Sequence, residues 1–135
     1  MRVVNLTGGH DLSFFGMDQV TQDPTTKKFV LNDGEQPRLT VPCVGCVRAK
    51  RSSICINTMY AGDSDLLLSV NHTAFTDVEG MPSDLEPNTI YIVSALAYNA
   101  LKASDYAHMD QIFTIDKTVV DGDGRIVGCI DLCHN

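Results

Sequence analysis

Basic residues are scarce in this chain of 135 residues: 10 Lys and Arg stand against 17 Asp and Glu, a formal charge of −7. A protein that binds nucleic acid through phosphate neutralisation needs clustered Lys and Arg, so direct nucleic-acid binding by a basic face is excluded. Long apolar runs are missing too. No segment reaches the roughly 18 consecutive apolar residues of a membrane span. The opening MRVVNLTGGHDLSFF carries no unbroken apolar stretch of the signal-peptide kind. No membrane association and a cytosolic location are therefore expected, and the sequons at Asn5 and Asn71 are then chance matches. Repeats, low-complexity tracts and long linkers are absent as well. With 44% hydrophobic and 20% charged residues, the composition is that of a folded chain, and the length suits one domain over 1–135.

Cysteine is present but odd in number. Cys43, Cys46, Cys55, Cys129 and Cys133 cannot all pair within one chain, and a reducing compartment leaves them as free thiols or metal ligands. The spacer in Cys43-Val44-Gly45-Cys46 lets two thiolates reach one tetrahedral zinc, with Cys129 and Cys133, beside His134, as candidates for the remaining positions. Because that second half is irregular, packing cysteines are the competing reading and no cofactor is required. Preceded by Pro42, the motif also resembles the Pro-Cys-x-x-Cys half of zinc nucleobase deaminases. Those enzymes need a His-x-Glu as well, and His10-Asp11-Leu12 offers no Glu. Asp121-Gly122-Asp123-Gly124 lacks the closing Glu of a calcium loop, Leu132 standing at that position.

Short apolar-alternating runs between turn residues predict a β-rich α+β fold: a single domain of antiparallel strands with one main helix over about 94–103. Strands are expected at Arg2 to Leu6 and Leu12 to Phe15 around Gly8-Gly9, and at Lys28 to Leu31. Arg38 to Val47 reads as one strand bent at Pro42. Ser53 to Met59 and Leu66 to Val70 read as a hairpin about Ala61-Gly62-Asp63-Ser64, with Thr73 to Val78 a further strand. Thr89 to Val93 has the continuous apolar character of a buried strand. Lys117 to Val120 and Arg125 to Ile130 flank the Asp-Gly-Asp-Gly turn of a second hairpin. Ser94 suits a helix N-cap, Lys102 suits the C-terminal end, and Leu96, Ala100 and Leu101 form the expected apolar stripe.

Three places invite ligand chemistry. The turn Thr7-Gly8-Gly9-His10-Asp11 sets a His and an Asp beside a backbone suited to anions. The junction from Tyr91 to Ser94 and Ala95 offers free N–H groups and a partial positive charge at a helix start. Arg48, Lys50 and Arg51 are the one basic cluster, suited to a phosphate or to a charged strand edge. No Ser or Cys nucleophile accompanies His10 and Asp11 at a fixed spacing, so no catalytic residue is assigned.

The segments Val4-Asn5-Leu6-Thr7 with His10-Asp11, Val78-Glu79-Gly80-Met81-Pro82, Pro87 to Leu96 and Gly124-Arg125-Ile126-Val127-Gly128-Cys129 resemble a family of small proteins from bacteriophages and prophage-bearing bacteria. The resemblance runs along nearly the whole chain and carries no established reaction. It implies a small phage protein in the host cytoplasm. The function expected on that basis is non-enzymatic: a homo-oligomer that inhibits or sequesters a host or antiviral-defence component. The target is either a protein with a basic surface or a small nucleotide signal. The alternatives are a zinc enzyme, a small hydrolase built on His10 and Asp11, and a minor virion component. Six acidic residues lie between Asp63 and Glu86, and no Lys or Arg occurs from Gly62 to Leu101, so a basic partner is expected to meet that region.

Overall fold

The structure, a computed structural model, describes residues 1–134. Strand accounts for 49% of the residues and helix for 11%, which bears out a β-rich α+β fold. The strands are β1 (Arg2–Asn5), β2 (Leu12–Phe14), β3 (Val20–Gln22), β4 (Phe29–Leu31), β5 (Leu39–Val41), β6 (Arg48–Tyr60), β7 (Leu67–Glu79), β8 (Thr89–Ile92), β9 (Ile112–Val120) and β10 (Ile126–Cys133). The single α-helix, α1, is Ala95–Ala103.

The main sheet runs β1-β8-β9-β10-β2-β5, with β3 paired to β4 and β4 to the far end of β9. It is mixed rather than antiparallel. β1 with β8, β8 with β9, β10 with β2, and β4 with β9 are all parallel. The expected Gly8-Gly9 connection therefore does not join two paired strands: β1 pairs with β8, and β2 lies between β10 and β5. A bridge between Asn5 and Cys43 links the edge strand β1 to the chain just after β5, so the sheet nearly closes on itself.

β8 is central to this arrangement, and its Thr-Ile-Tyr-Ile sequence is buried or half-buried throughout, as a parallel strand covered on both faces requires. One core cluster gathers Leu6, Val47, Tyr91, Val93, Ala97, Tyr98, Leu101 and Ile112. A smaller one forms around Phe15, Val20 and Val119. The β9–β10 hairpin is as expected, and its turn is held by Asp121, whose Oδ1 accepts from the Asp123 and Arg125 amides at 2.9 Å.

Three other expectations shift. The strand expected over Arg38 to Val47 stops at Val41, because Pro42 has no N–H for the ladder, and the chain continues through single bridges at Cys43 and Cys46. Thr73 to Val78 is no separate strand, since β7 runs unbroken from Leu67 to Glu79. In α1 the buried stripe is Ala97, Tyr98, Ala100 and Leu101, while Leu96 is exposed.

β6 and β7 form a separate two-stranded ribbon. At ~3.3 Å per residue, 13 residues extend to about 43 Å. In β6 only Ala49 is even half-buried, and in β7 only Val70, Ala74 and Val78. The ribbon is therefore an arm, anchored where its base and α1 pack together.

Candidate functional site

The turn after β1, the start of α1 and the first half of β10 meet around a cavity of about 740 Å³. Asn5 sets the turn. It is fully buried, and its side-chain amide donates to the carbonyls of His10 (2.9 Å) and Val41 (3.1 Å). Its Oδ1 accepts from the Thr7 amide at 3.0 Å and from the Thr7 hydroxyl at 2.7 Å. Gly8 then turns at φ +85, and any Cβ there would collide with the Cys46 side chain, so both the left-handed backbone and the close approach demand glycine. The outcome is that Thr7, His10 and Asp11 line one side of the cavity.

Ser94 and Ala95 line the opposite side. The Ser94 hydroxyl caps α1 by accepting from the Ala97 amide at 3.2 Å. The amides of Ala95 and Leu96 keep no partner among the described residues, and the first turn carries no acidic side chain to neutralise them. Thr114 and Ile115 of β9 and Ile126, Val127, Gly128 and Cys129 of β10 complete the wall. Of these, sequence reasoning singles out Cys129 alone, as a candidate metal ligand, and assigns the others to no site. Their one local signal is Gly128, where a Cβ would run into the Ser13 carbonyl and the Phe15 ring. A volume of this size, apolar on the β10 side and polar on the turn and helix sides, has the character of a small-molecule site.

The eight residues expected to bind a ligand divide evenly. His10, Asp11, Ser94 and Ala95 come together around the cavity, although Asp11 and Ser94 stand 83 positions apart in the sequence. Tyr91 does not: its ring lies in the core, and its hydroxyl accepts from the Glu86 amide at 2.9 Å. Arg48, Lys50 and Arg51 lie on the base of the arm, away from the cavity lining. Arg48 donates from Nε to the Cys46 sulfur at 3.4 Å, and Lys50 sits 3.9 Å from Asp77.

The four cysteines expected to share a metal, Cys43, Cys46, Cys129 and Cys133, form no such cluster. Among the described residues no three His, Cys, Asp or Glu side chains converge in a way that would hold a metal ion. The Cys43 backbone amide donates to Asp11 Oδ1 at 3.0 Å, while Cys46 packs against Gly8. Cys129 is fully buried in the cavity wall. Burial, reinforced by the Asp131 carboxylate, pushes the Cys129 thiol up to about 11, so it is a neutral thiol at physiological pH rather than an activated nucleophile. In contrast, backbone hydrogen bonding at Gly45, helped by Gly9 and Gly8, draws the Cys43 thiol below its ordinary value against the opposing effect of burial and of Asp11.

Among the described residues no helix is long and apolar enough to cross a membrane. No protein-family model, no curated protein and no solved structure matches this chain.

Proposed function

We propose that this is a small non-enzymatic binding protein of phage type, acting in the host cytoplasm, which sequesters a phosphate-bearing nucleotide signal of an antiviral defence. The observation that carries the reading is the cavity itself, where the uncompensated start of α1 and the Gly8-Gly9 turn face an apolar wall of Ile115, Ile126 and Val127. Helix-start amides favour an anion, and an apolar wall favours the flat face of a base. His10 and Asp11 add one donor-acceptor pair for sugar or base edges. The Cys129 thiol in the cavity wall is held neutral, so it supplies no thiolate nucleophile there.

The rival target, a protein with a basic surface, has less support because the acidic stretch is dispersed. Asp63 and Asp65 lie in the turn at the arm's tip, Asp77 and Glu79 at its base, and Glu86 pairs with Arg2 at 2.6 Å. Calorimetric titration with cyclic and linear nucleotides tests the proposal. One nucleotide class is expected to bind, and Ala95→Glu is expected to weaken it by about tenfold or more while leaving the melting temperature unchanged or raised, since a carboxylate suits a helix start. Absence of heat with every nucleotide would overturn the reading.

A further inference from the structure

The arm is longer than its own packing explains. A two-stranded ribbon is marginal in water by itself. Here both faces are exposed, with Ile54, Ile56 and Tyr60 of β6 each more than 60% accessible and Leu67 and Leu68 of β7 also exposed. Among the described residues β6 pairs with no strand except β7, so its outer edge is an open row of backbone donors and acceptors. From Ser52 to Tyr60 that edge has no charge and no proline, the two devices that normally prevent strand addition.

The charges on the arm discriminate among possible occupants. β6 begins with Arg48, Lys50 and Arg51, and the turn at its far end carries Asp63 and Asp65. Along β6 the edge is thus basic at the base, neutral along the middle and acidic at the tip; across the ribbon Glu79 and Asp77 stand opposite Arg48 and Lys50 and leave one net positive charge at the base, a distribution complementary to its own reversed copy. Side-by-side arms pointing the same way would lay base on base. They would also force two bodies, each with a radius of gyration of about 13 Å for roughly 100 residues, onto strands only about 4.8 Å apart. The β7 edge is no substitute, because its base carries Asp77 and Glu79, like in sign to the tip.

We propose that two copies of this chain pair through their β6 edges, antiparallel about a two-fold axis, with the Asp63 and Asp65 tip of each against the Arg48, Lys50 and Arg51 base of the other. This is an isologous contact, closed at two copies, and it converts two marginal ribbons into one four-stranded sheet. It is independent of what the cavity binds. The midpoint between Arg48 and Asp63 falls at Cys55 and Ile56, and Cys55 is an exposed free thiol. The pairing therefore brings Cys55 close to its counterpart across the axis.

Sedimentation of the reduced full chain is expected to give twice the 14.7 kDa mass at micromolar concentration. Diamide oxidation is expected to trap a dimer linked Cys55 to Cys55, identified by peptide mass spectrometry and lost in Cys55→Ser. Asp63→Lys with Asp65→Lys should weaken association about tenfold or more, and adding Arg48→Glu with Arg51→Glu should restore it. These charge variants lie on exposed positions, so an unchanged circular dichroism melt separates loss of pairing from loss of fold. A monomer at every concentration, or a dimer whose affinity ignores both charge changes, would overturn the proposal.

Discussion

Asn5 makes four hydrogen bonds with one buried side chain, tying the His10 carbonyl, the Val41 carbonyl and Thr7 into one knot. Asn5→Ala leaves several of these groups without partners and is expected to cost on the order of 3 kcal/mol in urea unfolding, together with ligand affinity. Reading Asn5-Leu6-Thr7 as a chance sequon left that pairing unseen, because the sequence shows two polar residues near each other and not which of them is buried. The thiols allow a second test. Cys129, buried and shifted up to about 11, should be the last cysteine alkylated by iodoacetamide at pH 8, and exposed Cys55 and the downshifted Cys43 should react before it; earlier labelling of Cys129 would contradict its position. A third concerns acid. Hydrogen bonding from Arg38 holds the Asp18 carboxyl below its ordinary range, so the folded value lies beneath the unfolded one of about 4. Its contribution is present above that unfolded value and lost as pH falls through the folded one, and Arg38→Ala should flatten the stability profile in that window.

The helix illustrates how far local patterns reach. Ser94 was readable as a cap because the residue type and the change of period coincide there, and Ser94→Ala should cost about 1 kcal/mol in thermal or urea unfolding. The expected stripe holds at Ala100 and Leu101 and fails at Leu96, since an Ala-rich helix of nine residues offers more than one candidate face, and β6, β7 and β9 choose among them. The β1-to-β2 segment behaves similarly. Gly8-Gly9 was recognisable as a turn, but the partners of the flanking strands, β8 for β1 and β10 with β5 for β2, lie far away in sequence. Gly8→Ala meets both the left-handed backbone and the Cys46 side chain, so it should lower the melting temperature and weaken ligand binding together.

For the whole molecule, the core clusters include only Val47 and Val78 from the neighbourhood of the arm. Replacing residues 52–74 by a short Asn-Gly turn should therefore leave a cooperatively unfolding body with its cavity, while abolishing self-association in sedimentation. The extent of the arm was only partly legible: the turn at 61–64 and its flanking strands were expected, but not two continuous strands of 13 residues each, because bulges near Ile56 and Thr76 interrupt the alternation that marks a strand. What the amino-acid order determined alone was the local content: β-rich segments, their principal turns, one capped helix, an acidic chain without a membrane-spanning helix. Only the tertiary structure decided that the sheet is mixed, that the expected cysteine ligands form no metal-holding cluster among the described residues, and that 7–13, 93–95 and 126–129 line one cavity. Strand partnership is chosen by burial and backbone pairing between distant segments, and no local pattern encodes it.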